Sequence, residues 1–162
     1  MSKFQTSLEN GPHKLLAGLE GTWEGTNRTW FEPDVIADES PISGTIRLVL
    51  DGRFAVHEYK SSFQGKPSSG MTIYGYDLQK QRWQSILIDS FHMSTGIMFQ
   101  EGNSDPAINV LGSYDGSEPD GPKWGWRTEI NIGDTGNLTI TSYNIEPSQA
   151  EQKAVEISYH RV

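Results

Sequence analysis

Turn-forming sequences interrupt this chain at intervals of about ten residues, and that spacing constrains its fold more than any other feature. Asp51-Gly52 is the strongest hairpin signal. Gln64-Gly65-Lys66-Pro67, the polar run 77–81, Gly102-Asn103-Ser104-Asp105-Pro106, Asp115-Gly116, Pro119-Asp120-Gly121-Pro122, Gly133-Asp134-Thr135-Gly136 and Glu146-Pro147-Ser148 continue the series. Between them lie segments rich in Thr, Val, Ile, Tyr, Phe and Trp, residues that suit a pleated, half-buried surface. About ten strands are expected, over 22–31, 43–50, 53–63, 69–76, 82–91, 94–101, 107–114, 124–132, 137–145 and 152–161, with a longer acidic loop over 33–41. Short links imply antiparallel neighbours. So many short strands must close into a barrel or stack as a sandwich, because an open sheet would leave unpaired edges. The strand pattern alone leaves barrel and sandwich both open.

One helix is expected, over 12–19. Pro12 suits a first turn, Leu15, Leu16 and Leu19 share a face, and Gly18 and Gly21 end it. Residues 1–11 are mixed and polar and read as a flexible tail preceding a single domain over 1–162.

Composition narrows function. The chain has 162 residues, 13 Lys+Arg against 21 Asp+Glu, a net charge of −8, and no cysteine. An acidic chain without a basic stripe repels a phosphate backbone, so no nucleic-acid partner is expected. No apolar run is long enough to span a membrane, and no signal peptide is evident, so the chain reads as cytoplasmic. Thiolate and disulfide chemistry are excluded.

Gly21-Thr22-Trp23 opens the first strand, and the last ends Tyr159-His160-Arg161-Val162. Here the chain resembles the calycin superfamily of lipocalins, fatty-acid-binding proteins and nitrobindins, which carry Gly-x-Trp on the first strand. That resemblance implies an antiparallel up-and-down barrel whose floor is closed by Arg161 packed over Trp23. A further likeness runs from residue 12 to about 102. It rests on Pro12-His13-Lys14-Leu15-Leu16, Leu19-Glu20-Gly21-Thr22-Trp23-Glu24-Gly25, Asp51-Gly52-Arg53-Phe54, Tyr74-Gly75-Tyr76-Asp77 and Ile88-Asp89-Ser90. These are similar to the DUF1579 group, a bacterial calycin-like family with no assigned activity. Leu87 stands where members often have Trp.

Strand parity names candidate site residues. If Arg161 faces inward, so do Tyr159, Ile157 and Val155. A two-residue turn at Asp51-Gly52 pairs Leu50 with Arg53 and turns Leu50, Leu48, Ile46, Ala55, His57, Tyr59 and Phe63 inward, whereas a bulge would reverse this. Asp89, mid-strand among apolar residues, is either a cavity group or an acceptor that caps a loop. Trp124, Trp126, Thr128 and Ile130 share a face, as do Met71 with Ile73 and Ile97 with Phe99. Each set is expected as wall packing or cavity lining. Asp89 with His92, three apart on a strand, should point to opposite faces.

His57, Tyr59, Asp89, Tyr159 and Trp126 are the expected ligand-binding set, for a small apolar or amphipathic molecule. No catalytic residue, cofactor or metal is expected. The alternatives are a cyclase, isomerase or hydratase acting through Asp89, His57 and Tyr59, or a protein-binding module with Trp30 and Phe31 at one rim. A nitrobindin-like haem site is disfavoured, because that likeness places a histidine near the start of the last strand, where Glu151-Gln152 stand.

Overall fold

The hairpin at Asp51-Gly52 sets the register of the first half of the sheet. Both residues have positive φ, 59° and 84°, and Arg53 N–H donates to the Leu50 carbonyl at 3.3 Å. This is a two-residue turn whose twist matches its flanking strands. It pairs Leu48 with Ala55, Ile46 with His57 and Gly44 with Tyr59, so no bulge reverses the parity. Leu50 is the exception to the expected inward set. Its own φ is 52°, which ends the ladder at Val49 and Phe54 and leaves its side chain exposed.

The computed structural model describes residues 1–102 and 107–162. Among them are ten strands: β1 Gly21–Glu32, β2 Val35–Val49, β3 Phe54–Phe63, β4 Lys66–Asp77, β5 Arg82–Asp89, β6 Met98–Glu101, β7 Ile108–Tyr114, β8 Trp124–Ile132, β9 Leu138–Ile145 and β10 Gln152–Arg161. Every strand pairs antiparallel with its neighbour in sequence, and β10 pairs with β1, so the sheet is a closed up-and-down barrel. The turn expected over 102–106 falls on residues 103–106, outside the described residues. No helix among the described residues is long and apolar enough to cross a membrane.

Three expected boundaries change. The acidic stretch over 33–41 is mostly strand: β2 starts at Val35, after a tight turn in which Asp34 has φ 59°. Its carboxylates serve neighbouring strands, Glu39 meeting Arg28 at 2.7 Å and Asp38 accepting from Gln64 N–H at 2.9 Å. β5 ends at Asp89 and β6 begins only at Met98, so 90–97 is a connection. The N-terminal tail is a helix, α1 Lys3–Asn10, followed by α2 Pro12–Ala17. The signal for α1 is a capping box: Ser2 Oγ accepts from Gln5 N–H at 3.1 Å, and Gln5 Oε1 accepts from Ser2 N–H at 2.8 Å. Ser7 Oγ and His13 Nδ1, 2.8 Å apart, fasten the two helices together.

The barrel floor is its tightest part. Leu16 and Leu19 enter the core beside Trp23 and Trp83, all four essentially without exposure. The Arg161 guanidinium lies 4.3 Å from the centre of the Trp23 ring. Its Nη2–H donates to the Gly18 carbonyl at 2.6 Å, and its Nη1–H donates to that of Glu20. Trp23 Nε1–H donates to the Leu19 carbonyl at 3.0 Å. A glycine is needed at position 21 because a side chain there would run into the Arg161 guanidinium. This is the floor pair that the resemblance implies.

Trp23→Ala should destabilise the protein by about 3–5 kcal/mol, since it empties a large buried volume. Arg161→Lys keeps the charge but loses the fork to two carbonyls, and should cost about 1–2 kcal/mol. Urea unfolding of the two variants checks both the size and the order of these effects.

Candidate functional site

Above the floor the interior turns polar. Tyr159 stacks on Trp23 with ring centres 6.0 Å apart, and its hydroxyl lies 2.9 Å from His57 Nε2. The His57 ring is 4.9 Å from that of Tyr59. Gly44, on the neighbouring strand, leaves the space these groups occupy: a Cβ there would meet the Tyr159 hydroxyl at 2.5 Å and His57 Nε2 at 3.1 Å. Burial pushes His57 down to about 4, so at neutral pH it is an uncharged hydrogen-bonding group. Burial pushes the Tyr59 phenol up, and the Asp89 carboxylate adds to the effect. Tyr74 and Tyr159 are raised by burial in the same way.

Among the described residues Asp89 is the one carboxylate lining this region, with its side chain only 4 % exposed. Burial opposes its charge, yet it is held below its ordinary range by the hydrogen bond and charge of His92 and by the backbone N–H groups of Met93 and His92. Oδ1 accepts those two N–H groups at 2.7 Å each, and Oδ2 lies 2.8 Å from His92 Nδ1. The expectation that Asp89 and His92 diverge is therefore corrected. It assumed a strand to residue 91, but β5 ends at Asp89 and the chain turns His92 back onto it.

His57, Tyr59, Asp89 and Trp126 line one hollow of about 50 Å³, together with Thr72, His92, Gln100, Thr128, Ser142 and several apolar groups. Tyr159 sits just beneath, bonded to His57. A second hollow of about 40 Å³ shares Tyr59, Asp89 and His92 and extends to Asn27, Phe63 and Phe91, toward the end away from the floor. Trp126, which lines the first, and Asn27, which lines the second, each carry a buried polar atom without a partner among the described residues, Nε1 and Oδ1 respectively. Either hollow has room for only a water molecule or two, so the ligand-sized interior cavity expected of the barrel is not found among the described residues: inward side chains fill it. Larger depressions, of about 950 and 780 Å³, lie on the outer wall and open broadly to solvent.

The five expected residues thus converge on one place, and His92, Gln100 and Asn27 join them unforeseen. A buried Gln100, accepting from Ser85 Oγ at 3.0 Å and donating to the Trp126 carbonyl at 3.2 Å, has no sequence signal beyond its parity with Met98. Trp126, Thr128 and Ile130 face inward, with Trp124 nearer the rim. Met71, Ile73, Ile97 and Phe99 point outward, against expectation, because Thr72, Tyr74 and Gln100 hold the inner positions of β4 and β6. Phe31 is exposed at the rim, against Phe63. Glu151 is outside the cavity, paired with Arg127 at 2.8 Å.

A family model described as "Protein of unknown function (DUF1579)" matches residues 9–161. The chain belongs to the DUF1579 family. Among solved structures it is similar to Rv2717c from M. tuberculosis, with a TM-score of 0.62 and 16% identity over 93% of this chain and 97% of that one. That likeness is one of fold. No curated protein matches the chain.

The depressed His57 gives a pH signature of stability. An unfolded histidine titrates near 6.5, and the folded one at about 4. Between these values the unfolded chain binds a proton that the folded one refuses, so stability falls as pH drops through that window. At about 1.4 kcal/mol per unit, this one group accounts for a loss of roughly 3 kcal/mol. Denaturant unfolding from pH 7 to pH 4 should show a shallower loss in His57→Gln than in the native protein. Parallel curves would contradict the burial argument.

Proposed function

We propose that this protein binds a small, neutral, amphipathic molecule inside the barrel. The observation that carries this reading is the buried, unpartnered indole N–H of Trp126, a residue that lines a hollow with His57, Tyr59, Asp89 and His92. An unsatisfied buried donor costs about 1–3 kcal/mol, a penalty that a ligand oxygen would relieve. The surrounding groups favour a neutral guest: His57 is uncharged, the phenols stay protonated, and Asp89 is already committed to His92. Ile140, Ile157 and Leu87 offer the apolar half.

The hollows are far smaller than the roughly 300 Å³ of an ordinary ligand pocket, so binding requires the barrel to open. Phe91 is the natural moving part. It meets Phe63 and His92 through ring contacts at 4.9 and 4.5 Å, whereas His92 and Met93 are tied to Asp89 by hydrogen bonds. Swinging Phe91 outward would join the second hollow to solvent and leave the rest of the site in place.

Coumarin, a flat neutral lactone with an acceptor oxygen, tests the reading by NMR titration. Saturable shifts are expected at His57, Tyr59, His92 and the Trp126 indole. Trp126→Phe should weaken binding roughly fivefold, the worth of one hydrogen bond. Absence of saturable shifts would overturn the proposal. Shifts confined to the outward Ile86, Ile88 and Phe99 would point instead to a surface that meets another protein.

A further inference from the structure

We infer that Asp89 and His92 form a proton-transfer pair, with His92 Nε2 removing a proton from the carbon α to the carbonyl of a bound neutral molecule. This rests on the ligand site proposed above. Asp89 would be fully employed as a loop staple by Oδ1 alone, which accepts the N–H groups of His92 and Met93. Its second oxygen does something a staple does not require: Oδ2 lies 2.8 Å from His92 Nδ1. A carboxylate can only accept, so in the neutral imidazole Nδ1 carries the hydrogen and Nε2 presents a lone pair. No partner among the described residues occupies Nε2, and the His92 side chain remains 32 % exposed.

The second half of the chemistry lies beside it. The His92 and Trp126 rings are 5.1 Å apart and line the same hollow, where Trp126 Nε1–H has no partner. A base and an unused donor carried by two residues that line one hollow suit enolisation. The C–H bond breaks, the proton passes to His92 Nε2, and the electron pair shifts toward the ligand oxygen, where Trp126 Nε1–H meets the charge. In a β,γ-unsaturated carbonyl compound the electron pair is shared with the adjacent double bond, and return of the proton to the γ carbon yields the conjugated isomer and restores the histidine. No oxidant, reductant or co-reactant is needed. His92 is the catalytic residue, and Asp89 is a positioning residue that holds its tautomer and orientation.

5-Nitrobenzisoxazole is the probe. A base removes the C–H of its isoxazole ring, the electron pair forms the nitrile, the N–O bond breaks, and a coloured phenolate is released. The native protein should open it with saturation, and His92→Gln should lower kcat by about a hundredfold. Asp89→Asn should lower kcat by about tenfold with KM unchanged, a split that loss of a purely structural staple would not produce. Equal rates in the native protein and His92→Gln would overturn the pair. Coumarin titration of the same His92→Gln protein separates the two readings: binding retained with equal rates removes only the pair, whereas failure of coumarin to bind the native protein removes the ligand site as well.

Discussion

The Arg161 guanidinium over the Trp23 indole joins the last strand to the first and to the segment that follows α2. A flat cation on an indole face combines electrostatic attraction with burial of the arginine stem. Its hydrogen bonds to carbonyls near residues 18–20 tie the helical segment to the floor. From Trp23 a chain of ring contacts rises along the interior, stacked on Tyr159, edge-on to His57 and tilted against Tyr59. The closure of the barrel and the placement of the candidate site are therefore one structure. A shift at the floor would be transmitted to the Tyr159 hydroxyl, and from there to His57.

The interior above that floor is stabilised without charge. Phenols, hydroxyls, an amide and a neutral imidazole satisfy one another, as in Ser85 with Gln100 and Thr128 with Ser142 at 2.9 Å. Such networks specify a unique arrangement when complete, and each unsatisfied member is costly. The two unpaired atoms, on Trp126 and Asn27, stand out against that background. Asp89 is the exception to neutrality, and three donors offset its burial.

Much of this was legible in the residues. Asp51-Gly52 favours a two-residue turn, and with no bulge in the register that turn carries His57 and Tyr59 inward. The terminal Arg161 with Gly21-x-Trp23 implies the floor. What escaped reading had specific physical causes. The Ser2/Gln5 capping box makes a helix of a polar segment without an apolar stripe. Period-two alternation says which residues share a face but not which face is buried, so Met71, Ile73 and Phe99 were placed with the interior when polar Thr72, Tyr74 and Gln100 occupy it. The Asp89–His92 contact depends on where a strand stops, and nothing in Ile88-Asp89-Ser90-Phe91 marks that point.

The central claim is that a rigid floor supports a site whose cover opens separately, a division that native-state hydrogen exchange measures directly. The Gly96 amide of the connection, bonded to the Met93 carbonyl at 2.8 Å, should exchange through a local opening insensitive to low denaturant, whereas those of His92 and Met93, held by Asp89, should be better protected. Those of β1 and β10 around Trp23 and Arg161 should exchange only through global unfolding. Exchange of Gly96 and the floor amides at the same free energy, or earlier opening of the floor, would contradict the account.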